Sequence, residues 1–318
     1  MAVTKAVIAV AGYGTRFLPA TKVQPKEMLP IVDKPVVQHL VEEAVLSGIE
    51  DIILVTRTGN KALEDHFDTS TELEVHLQAQ GNTQALEKIK QISTMAHFVY
   101  VRQGRSLPYG NGTPLLCAKS LISPGEPFVY MFGDDIVRSA VPCARQLIEV
   151  YEQEECDGVI AVQEVDPSEI SHYGVPRLRA NRMPRELEAI VEKPDRASAP
   201  SNLAQIGRFV FTDKIIKILE NLEAGRNGEL WLTDAVGKLA ARGRVLVHPI
   251  TGKWHTTGDP LRFLMTVVEF ALDHPDIGRE FRTYLRGLRL SPSEGEVGAK
   301  SGLGGSGADA GPRAKAEK

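Results

Sequence analysis

Residues 5–35 read KAVIAVAGYGTRFLPATKVQPKEMLPIVDKP. The run from Lys5 to Ala11 is apolar after its first residue, the pattern of a strand buried on both faces of a sheet. Gly12 and Gly14 follow at once. Lacking Cβ atoms, they let backbone N–H groups approach a phosphate closely. Arg16 and Lys26 then put two cations within one loop of that backbone. The combination suits a polyphosphate. A plain turn gives an Arg and a Lys no reason to crowd together.

The same residues argue against two other phosphate loops. A dinucleotide fingerprint needs G-x-G-x-x-G, and here the third glycine is Phe17. Pro19, Pro25 and Pro30 also prevent a helix from opening after the loop. The acidic residue that would hold a ribose has a candidate at about the right spacing, Asp33, but it sits between Pro30 and Pro35. A Walker loop ends in Gly-Lys-Ser/Thr, which occurs nowhere in the chain.

Outward from this stretch, strands and helices alternate. Val36–Ser47 has helical spacing, with Gly48 to cap it. Asp51–Thr56 reads as a strand, Lys61–Phe67 opens a helix, and Phe98–Arg102 is a third strand. Pro114–Leu121 is a short helix, Phe128–Phe132 a strand ending at Gly133-Asp134-Asp135, Ala140–Glu154 a helix and Gly158–Val162 a fifth strand. Such alternation predicts a parallel sheet covered on both faces, with ligands beyond the carboxyl ends of the strands. The glycine loop, Arg102-Gln103 and Asp134-Asp135 all fall at such ends. After about residue 165 the pattern is mixed. Strand candidates are Leu187–Val191, Ile206–Phe211 and Val245–Pro249; helix candidates are Lys214–Leu222, Trp231–Ala241 and Pro260–Leu272. This half is expected to extend the sheet and supply the second wall of the cleft. The expected division is one domain over 1–290, with a first half to about 165 and a second half over 166–290. Residues 291–318, rich in Gly, Ser, Ala and charge, are expected to form a disordered tail.

The 318 residues are 42% hydrophobic and 25% charged, ordinary for a globular protein with a sizeable core. A net charge of −4 gives no basic excess for nucleic-acid binding, so a phosphate ligand must meet local cations. Cys117, Cys143 and Cys156 match no zinc spacing and form no even disulfide set, which points to a reducing compartment. No apolar run is long enough to span a membrane, and the expected location is cytoplasmic. The eight histidines show no H-x-x-x-H spacing, and no G-x-S-x-G elbow is present.

Paired carboxylates at the end of a buried strand suit Mg²⁺, which takes few protein ligands and otherwise binds phosphate and water. Asp134, nearer the strand end, is the better ligand candidate. In Glu192-Lys193-Pro194, a lysine held at a strand end by the following proline makes a point charge for a second phosphate. Gly228-Glu-Leu-Trp-Leu-Thr-Asp234 reads as helix capping.

At this point the motifs resemble a known family. Gly12-Tyr-Gly-Thr-Arg16, Pro25-Lys-Glu-Met-Leu-Pro30, Glu64-Asp-His-Phe-Asp68, Val191-Glu-Lys-Pro194, Pro200-Ser-Asn-Leu203, Ile206-Gly-Arg-Phe209 and Gly228–Asp234 are similar, in order, to those of bacterial UTP–glucose-1-phosphate uridylyltransferases. The resemblance covers roughly residues 4 to 275. It implies a Rossmann-like three-layer α/β/α sandwich with a mixed, mostly parallel central sheet. It also implies a Mg²⁺-dependent reaction in which UTP and glucose 1-phosphate give UDP-glucose and pyrophosphate. Carried over by motif, Ala11, Gly12, Gly14 and Thr15 hold the nucleotide. Arg16 neutralises the departing phosphates, and Lys26 the charge at the α-phosphate. Gln103 pairs with the uracil edge, with Gly110 beside it. Asp134 binds the metal. Gly174, Glu192 and Gly207 line the sugar site, and Lys193 holds the sugar phosphate. The family forms dimers and tetramers, which implies a homodimer or homotetramer here.

Three departures stand out. Gly110-Asn-Gly-Thr-Pro114 replaces the usual Gly-Leu-Gly-His-Ala beside the base, which bears on UTP against dTTP. Phe132-Gly133-Asp134 replaces Leu-Pro-Asp and keeps the carboxylate. Thr256-Thr257-Gly258 replaces Asp-Cys-Gly, whose aspartate serves related thymidylyltransferases as a second metal ligand. The alternatives are the same transfer with dTTP or another sugar 1-phosphate, and a regulatory paralogue without turnover.

Overall fold

The computed structural model describes residues 1–104, 106–225 and 228–288. The tail assigned to 291–318 lies outside the described residues. Two compact units divide the chain, Met1–Ala271 and Leu272 onward. In the second, the described helix α10 (Gly278–Gly287) stacks Phe281 on Tyr284 with ring centroids 6.4 Å apart.

The first unit opens with β1 (Lys5–Ala9). The proline-rich stretch after it forms only 3-10 turns at Thr15–Phe17, Ala20–Lys22 and Lys26–Met28, then the small hairpin of β2 (Pro30–Ile31) and β3 (Lys34–Pro35). The prolines therefore exclude a helix, as expected. Next come α1 (Val36–Leu46), β4 (Asp51–Thr56) and α2 (Lys61–His66). Two helices not anticipated from the sequence follow, α3 (Thr71–Ala79) and α4 (Thr83–Thr94). Neither buries a residue fully; α3 has little apolar stripe, whereas Ala85, Ile89 and Ile92 recur on one face of α4 and Ile92 packs against the core. β5 (His97–Arg102), α5 (Thr113–Ala118), β6 (Phe128–Phe132), β7 (Asp135–Arg138), α6 (Cys143–Gln153) and β8 (Gly158–Glu164) complete the first half. The helix expected from Ala140 starts only at Cys143, because Pro142 is its extended N-cap. The second half adds β9 (Gly174–Leu178), β10 (Leu187–Glu192), β11 (Leu203–Phe211), α7 (Asp213–Glu220), α8 (Leu232–Arg242), β12 (Val245–Pro249), β13 (Lys253–Thr256) and α9 (Pro260–Leu272).

Seven strands form one sheet in the order β12-β8-β11-β6-β1-β4-β5. The pairs β1–β4, β1–β6, β4–β5 and β8–β12 are parallel, whereas β11 runs antiparallel to both β6 and β8. The second half thus does not simply extend an edge. β11 inserts into the middle, an arrangement that an apolar run cannot reveal because it carries no direction. β9 and β10 form a separate antiparallel pair, as do β7 and β13.

Alternation along the strands feeds two cores. Ala6 and Ile8, Ile52 and Leu54, and Val129 and Met131 face one side with Val37, Leu40 and Val41 of α1 and Leu147 of α6. Val7, Ile53, Val55, Phe128 and Tyr130 face the other with Leu115 of α5, Ile215 and Leu219 of α7, and Leu232, Val236 and Leu239 of α8. Each buried Leu or Ile contributes roughly 1.5–3 kcal/mol through lost water contact. The result is the three-layer α/β/α sandwich with a mixed, mostly parallel sheet.

Candidate active site

The glycine loop leaves β1 and turns back on Lys26. Gly14 is left-handed at φ +63, and a Cβ on it would lie 3.1 Å from the Thr21 methyl and 3.3 Å from Lys26 Cβ. Thr21 Oγ1 donates to Gly14 O at 2.7 Å, which pins that turn. A Cβ on Gly12 would reach Lys26 Cε at 3.5 Å, so the lysine stem runs along the glycine backbone. Lys26 Nζ donates to Asp134 Oδ2 at 2.6 Å and lies 4.0 Å from Glu27 Oε1. Burial opposes both charges of the Lys26–Asp134 pair, but their mutual attraction outweighs it. The ammonium is held above the usual lysine range and the Asp134 carboxyl below the usual aspartate range. Arg16 Nη1 donates to Gly258 O at 3.2 Å.

These groups line a cleft of about 640 Å³ beyond the carboxyl ends of β1, β5 and β6. Ala11, Gly12, Gly14, Thr15, Arg16, Lys26 and Asp134 line it together with Gln103 and Gly110. The structure therefore brings the predicted phosphate residues and the predicted base residues to one cavity. Gln103 extends the β4–β5 ladder through its N–H to Thr56 O at 2.7 Å. The Gly110 loop is fastened to the strand-like backbone of Leu230, whose N–H donates to Tyr109 O at 2.7 Å and whose carbonyl accepts from Gly112 N at 2.9 Å. Asn111, the first departure from the family pattern, accepts the Leu232 N–H of α8 at 2.7 Å on its side chain, while its carbonyl accepts from the Tyr130 hydroxyl at 2.6 Å. Thr113 Oγ1 closes the loop on Pro108 O at 2.6 Å. The replaced residues thus hold the loop in place.

The two aspartates separate by role. Asp134 faces the cleft. Asp135 is buried, accepting Gly207 N–H on Oδ2 and Trp254 Nε1–H on Oδ1, both at 2.8 Å. Burial, with the neighbouring Asp134 charge, raises the Asp135 carboxyl. Its carbonyl accepts from Arg208 Nη2 at 2.6 Å, and Arg208 forms a bidentate pair with Glu43 at 2.8 Å for each bond. Arg208 is fully buried, so this pairing is what makes its charge tolerable there. The network ties α1, β7 and β11 together directly beneath Asp134.

A Cβ added at Gly258 would lie 3.0 Å from Asp134 Oδ2, 3.5 Å from Thr256 Oγ1 and 3.7 Å from Arg16 Nη1. Thr256 therefore stands beside Asp134, where a second carboxylate would be expected. Asp259 does not take that place: its Oδ1 accepts the Arg262 N–H and its Oδ2 pairs with Arg262 Nη1, both at 3.0 Å, at the start of α9. Among the described residues, no group of three or more His, Cys, Asp or Glu side chains is placed to hold a metal. Asp134, with phosphate oxygens and water, matches the sparse ligand set that Mg²⁺ accepts.

The predicted sugar-side residues form a second cluster against the cleft. Gly174 pairs with Glu192 across β9 and β10, and a Cβ on it would lie 3.3 Å from Glu192 Oε2. That oxygen also accepts from Thr233 Oγ1 at 2.7 Å. Lys193 lies 3.6 Å from Glu192 Oε1, and its ammonium sits 4.7 Å from the centre of the Trp231 ring, which lines the cleft. Gly207 backs onto Phe132, also in the cleft wall: a Cβ there would come within 2.4 Å of Phe132 Cβ. Proline favours an extended residue before it, yet Lys193 has φ +48. Its N–H to Tyr173 O at 3.0 Å holds the strained conformation.

Sequence reading missed several cleft residues. Glu229 and Trp231 line the cavity, and Trp231 makes no side-chain cap, so capping is not the role of their motif. Tyr13 and Tyr109 also line it. Glu27 is 1% exposed, its Oε2 has no hydrogen-bond partner, and burial raises its carboxyl to about 7. An acid beside Lys26 between prolines was the available signal.

The model of the nucleotidyl transferase family matches residues 5–271. A UTP–glucose-1-phosphate uridylyltransferase of Bacillus subtilis (strain 168) is 45% identical over 287 residues, covering 90% of this chain and 97% of that one. Its counterpart in Staphylococcus epidermidis is 43% identical over 289 residues, covering 91% and 99%. Among solved structures, a UTP-bound UGPase from Acinetobacter baumannii aligns at a TM-score of 0.82 and 34% identity, covering 90% of this chain and all (100%) of that one. A UDP-glucose pyrophosphorylase complexed with UDP-glucose aligns at 0.76 and 37%, covering 84% and 98%. With its glycine loop, cations and carboxylate gathered beyond the carboxyl ends of the sheet strands, the chain belongs to the nucleotidyl transferase family, in the branch of the bacterial UTP–glucose-1-phosphate uridylyltransferases.

Proposed function

We infer that this chain transfers a uridylyl group from UTP to glucose 1-phosphate, giving UDP-glucose and pyrophosphate. The observation that carries the reading is the single cleft. Arg16, Lys26 and the glycine loop occupy its phosphate end, Gln103 and Gly110 its base end, and the Lys193 cluster abuts it through Trp231. A phosphate oxygen of glucose 1-phosphate bonds to the α-phosphorus of UTP. The bond from that phosphorus to the oxygen bridging the β-phosphate breaks, and its electron pair leaves with pyrophosphate. No proton transfer is required, so positioning and charge neutralisation dominate. Lys26 stabilises the charge gathered at the α-phosphorus, and Arg16 that of the leaving pyrophosphate. Lys193 holds the sugar phosphate, Glu192 and the backbone at Gly174 and Gly207 the sugar. Mg²⁺ held by Asp134 supplies further neutralisation when bound.

The same reading carries a homodimer or homotetramer in the cytoplasm, with neither nucleic acid nor membrane as partner. The net charge of −4 gives no basic excess for a nucleic acid, and among the described residues no helix is long and apolar enough to cross a membrane. The test is pyrophosphate release with Mg²⁺, glucose 1-phosphate and each of UTP, dTTP, CTP, ATP and GTP. UTP should be preferred. Preference for dTTP refutes the base assignment. Release with none refutes turnover on glucose 1-phosphate and leaves the regulatory paralogue, which Thr256 alone favours.

A further inference from the structure

We propose that Arg57, Tyr13 and Tyr109 form an aromatic clasp across the mouth of the cleft that grips the nucleotide, setting its affinity without taking part in the chemical step. The proposal rests on the nucleotide reading above. Each residue comes from a loop at the carboxyl end of one of three adjacent parallel strands: Tyr13 after β1, Arg57 after β4 and Tyr109 after β5. The rings of Tyr13 and Tyr109 stack with centroids 6.1 Å apart and planes 29° apart. The Arg57 guanidinium carbon lies 5.2 Å from the centre of the Tyr13 ring. Arg57 Nε is buried without a hydrogen-bond partner, and the same guanidinium is near enough to Glu27 to favour its charged form, so its cation sits between the Tyr13 ring and the buried carboxyl.

The stack joins the two parts of the site. Tyr13 lies between Gly12 and Gly14 in the phosphate loop, and Tyr109 precedes Gly110 in the base loop. Both rings line the cleft and are still about half exposed, Tyr13 at 57% and Tyr109 at 49%. Two half-exposed aromatic rings leave faces free for a nucleobase or ribose. A nucleotide with phosphates at Arg16 and Lys26 and base at Gln103 spans the distance between the two loops, beneath this stack. Glycine at Gly14 (φ +63) and Gly110 (φ +144) permits backbone conformations beside each ring that other residues adopt only with strain.

Calorimetric titration with UTP alone tests this without turnover, on wild type, Tyr13→Ala, Tyr109→Ala, Tyr13→Phe, Tyr109→Phe, Arg57→Gln and the double alanine variant. Each alanine variant should weaken UTP by about two- to tenfold, the range of an aromatic contact. The phenylalanine variants should stay within about twofold of wild type, because the ring and not the hydroxyl is the working part. The double variant should lose less than the product of the singles, since either deletion opens the clasp. In steady-state assays the KM for UTP should rise in step with the weakened binding. UTP affinity unchanged in both alanine variants overturns the clasp, as does an equal loss in the phenylalanine variants or a fall in turnover with affinity intact. A wild-type protein that binds no UTP refutes the nucleotide reading itself and the clasp with it; the variants separate the two failures.

Discussion

Replacing Glu27 by Gln should make the protein more stable than wild type in alkaline buffer and not in acid. Glu27 is 1% exposed, one of its oxygens has no partner, and Lys26 Nζ is 4.0 Å from the other. Burial raises the carboxyl from 4.5 to about 7 against the pull of Lys26. Between those values the folded chain holds a proton that the unfolded chain has released. Stability from this group is therefore complete below pH 4.5, falls as pH rises, and is gone above about 7. At about 1.4 kcal/mol for each pH unit, the change is about 3 kcal/mol. A glutamine carries no charge to bury and shows no such loss, while every other group titrates in both proteins and cancels to a first approximation. Melting temperatures of wild type and Glu27→Gln, in EDTA without nucleotide, should be compared at pH 4.5 and 8.5. At about 2 °C for each kcal/mol in a chain of this size, the variant should gain about 6 °C on wild type between the two pH values. A difference that stays constant with pH would refute the reasoning, for it would show that Glu27 ionises normally despite its burial.

Other perturbations probe the rest of the cleft. Lys26→Ala should lower turnover by about 10²–10³-fold, the usual cost of one charge-stabilising donor, with the KM for glucose 1-phosphate little changed; initial rates of pyrophosphate release test this, and intact turnover removes Lys26 from its role. Gly110→Ala places a methyl group 2.3 Å from Leu230 O at a φ of +144, so the base loop must move; its KM for UTP should rise by about tenfold or more while that for the sugar phosphate holds. Thr256→Asp sets a second carboxylate beside Asp134, and Mg²⁺ titrated into the protein with UTP should bind more tightly by calorimetry, unchanged affinity showing that position 256 does not reach the metal.

Much of this was legible along the chain because it is local. The apolar run Lys5–Ala11 fixed a buried strand, the glycines and cations after it a phosphate loop, and the prolines the absence of a helix there. These depend on backbone sterics and side-chain chemistry within a few residues. The helix α3 was not legible because it buries too little to be patterned, whereas α4 carried a stripe, Ala85, Ile89 and Ile92, that went unread. The strain at Lys193 was not legible because its N–H donates to Tyr173 O, a contact that overrides the preference set by proline.

Sequence by itself pointed to the kind of ligand, a polyphosphate expected to meet Arg16 and Lys26, and it spoke against the dinucleotide and Walker loops. It also favoured Asp134 over Asp135 as the cleft carboxylate, but only the tertiary structure shows what becomes of each. Asp134 and Asp135 are neighbours of one type, yet one faces Lys26 in the cleft and the other is consumed by Gly207, Trp254 and the turn held by Arg208. Tertiary structure also inserted β11 into the sheet, so that Gly207 meets Phe132, and it carried Tyr13, Arg57 and Tyr109 to one stack from three strands. The physical reason is range. Ligand chemistry is written in adjacent side chains, whereas burial, pairing and convergence are set by residues tens to hundreds of positions away that only folding brings into contact.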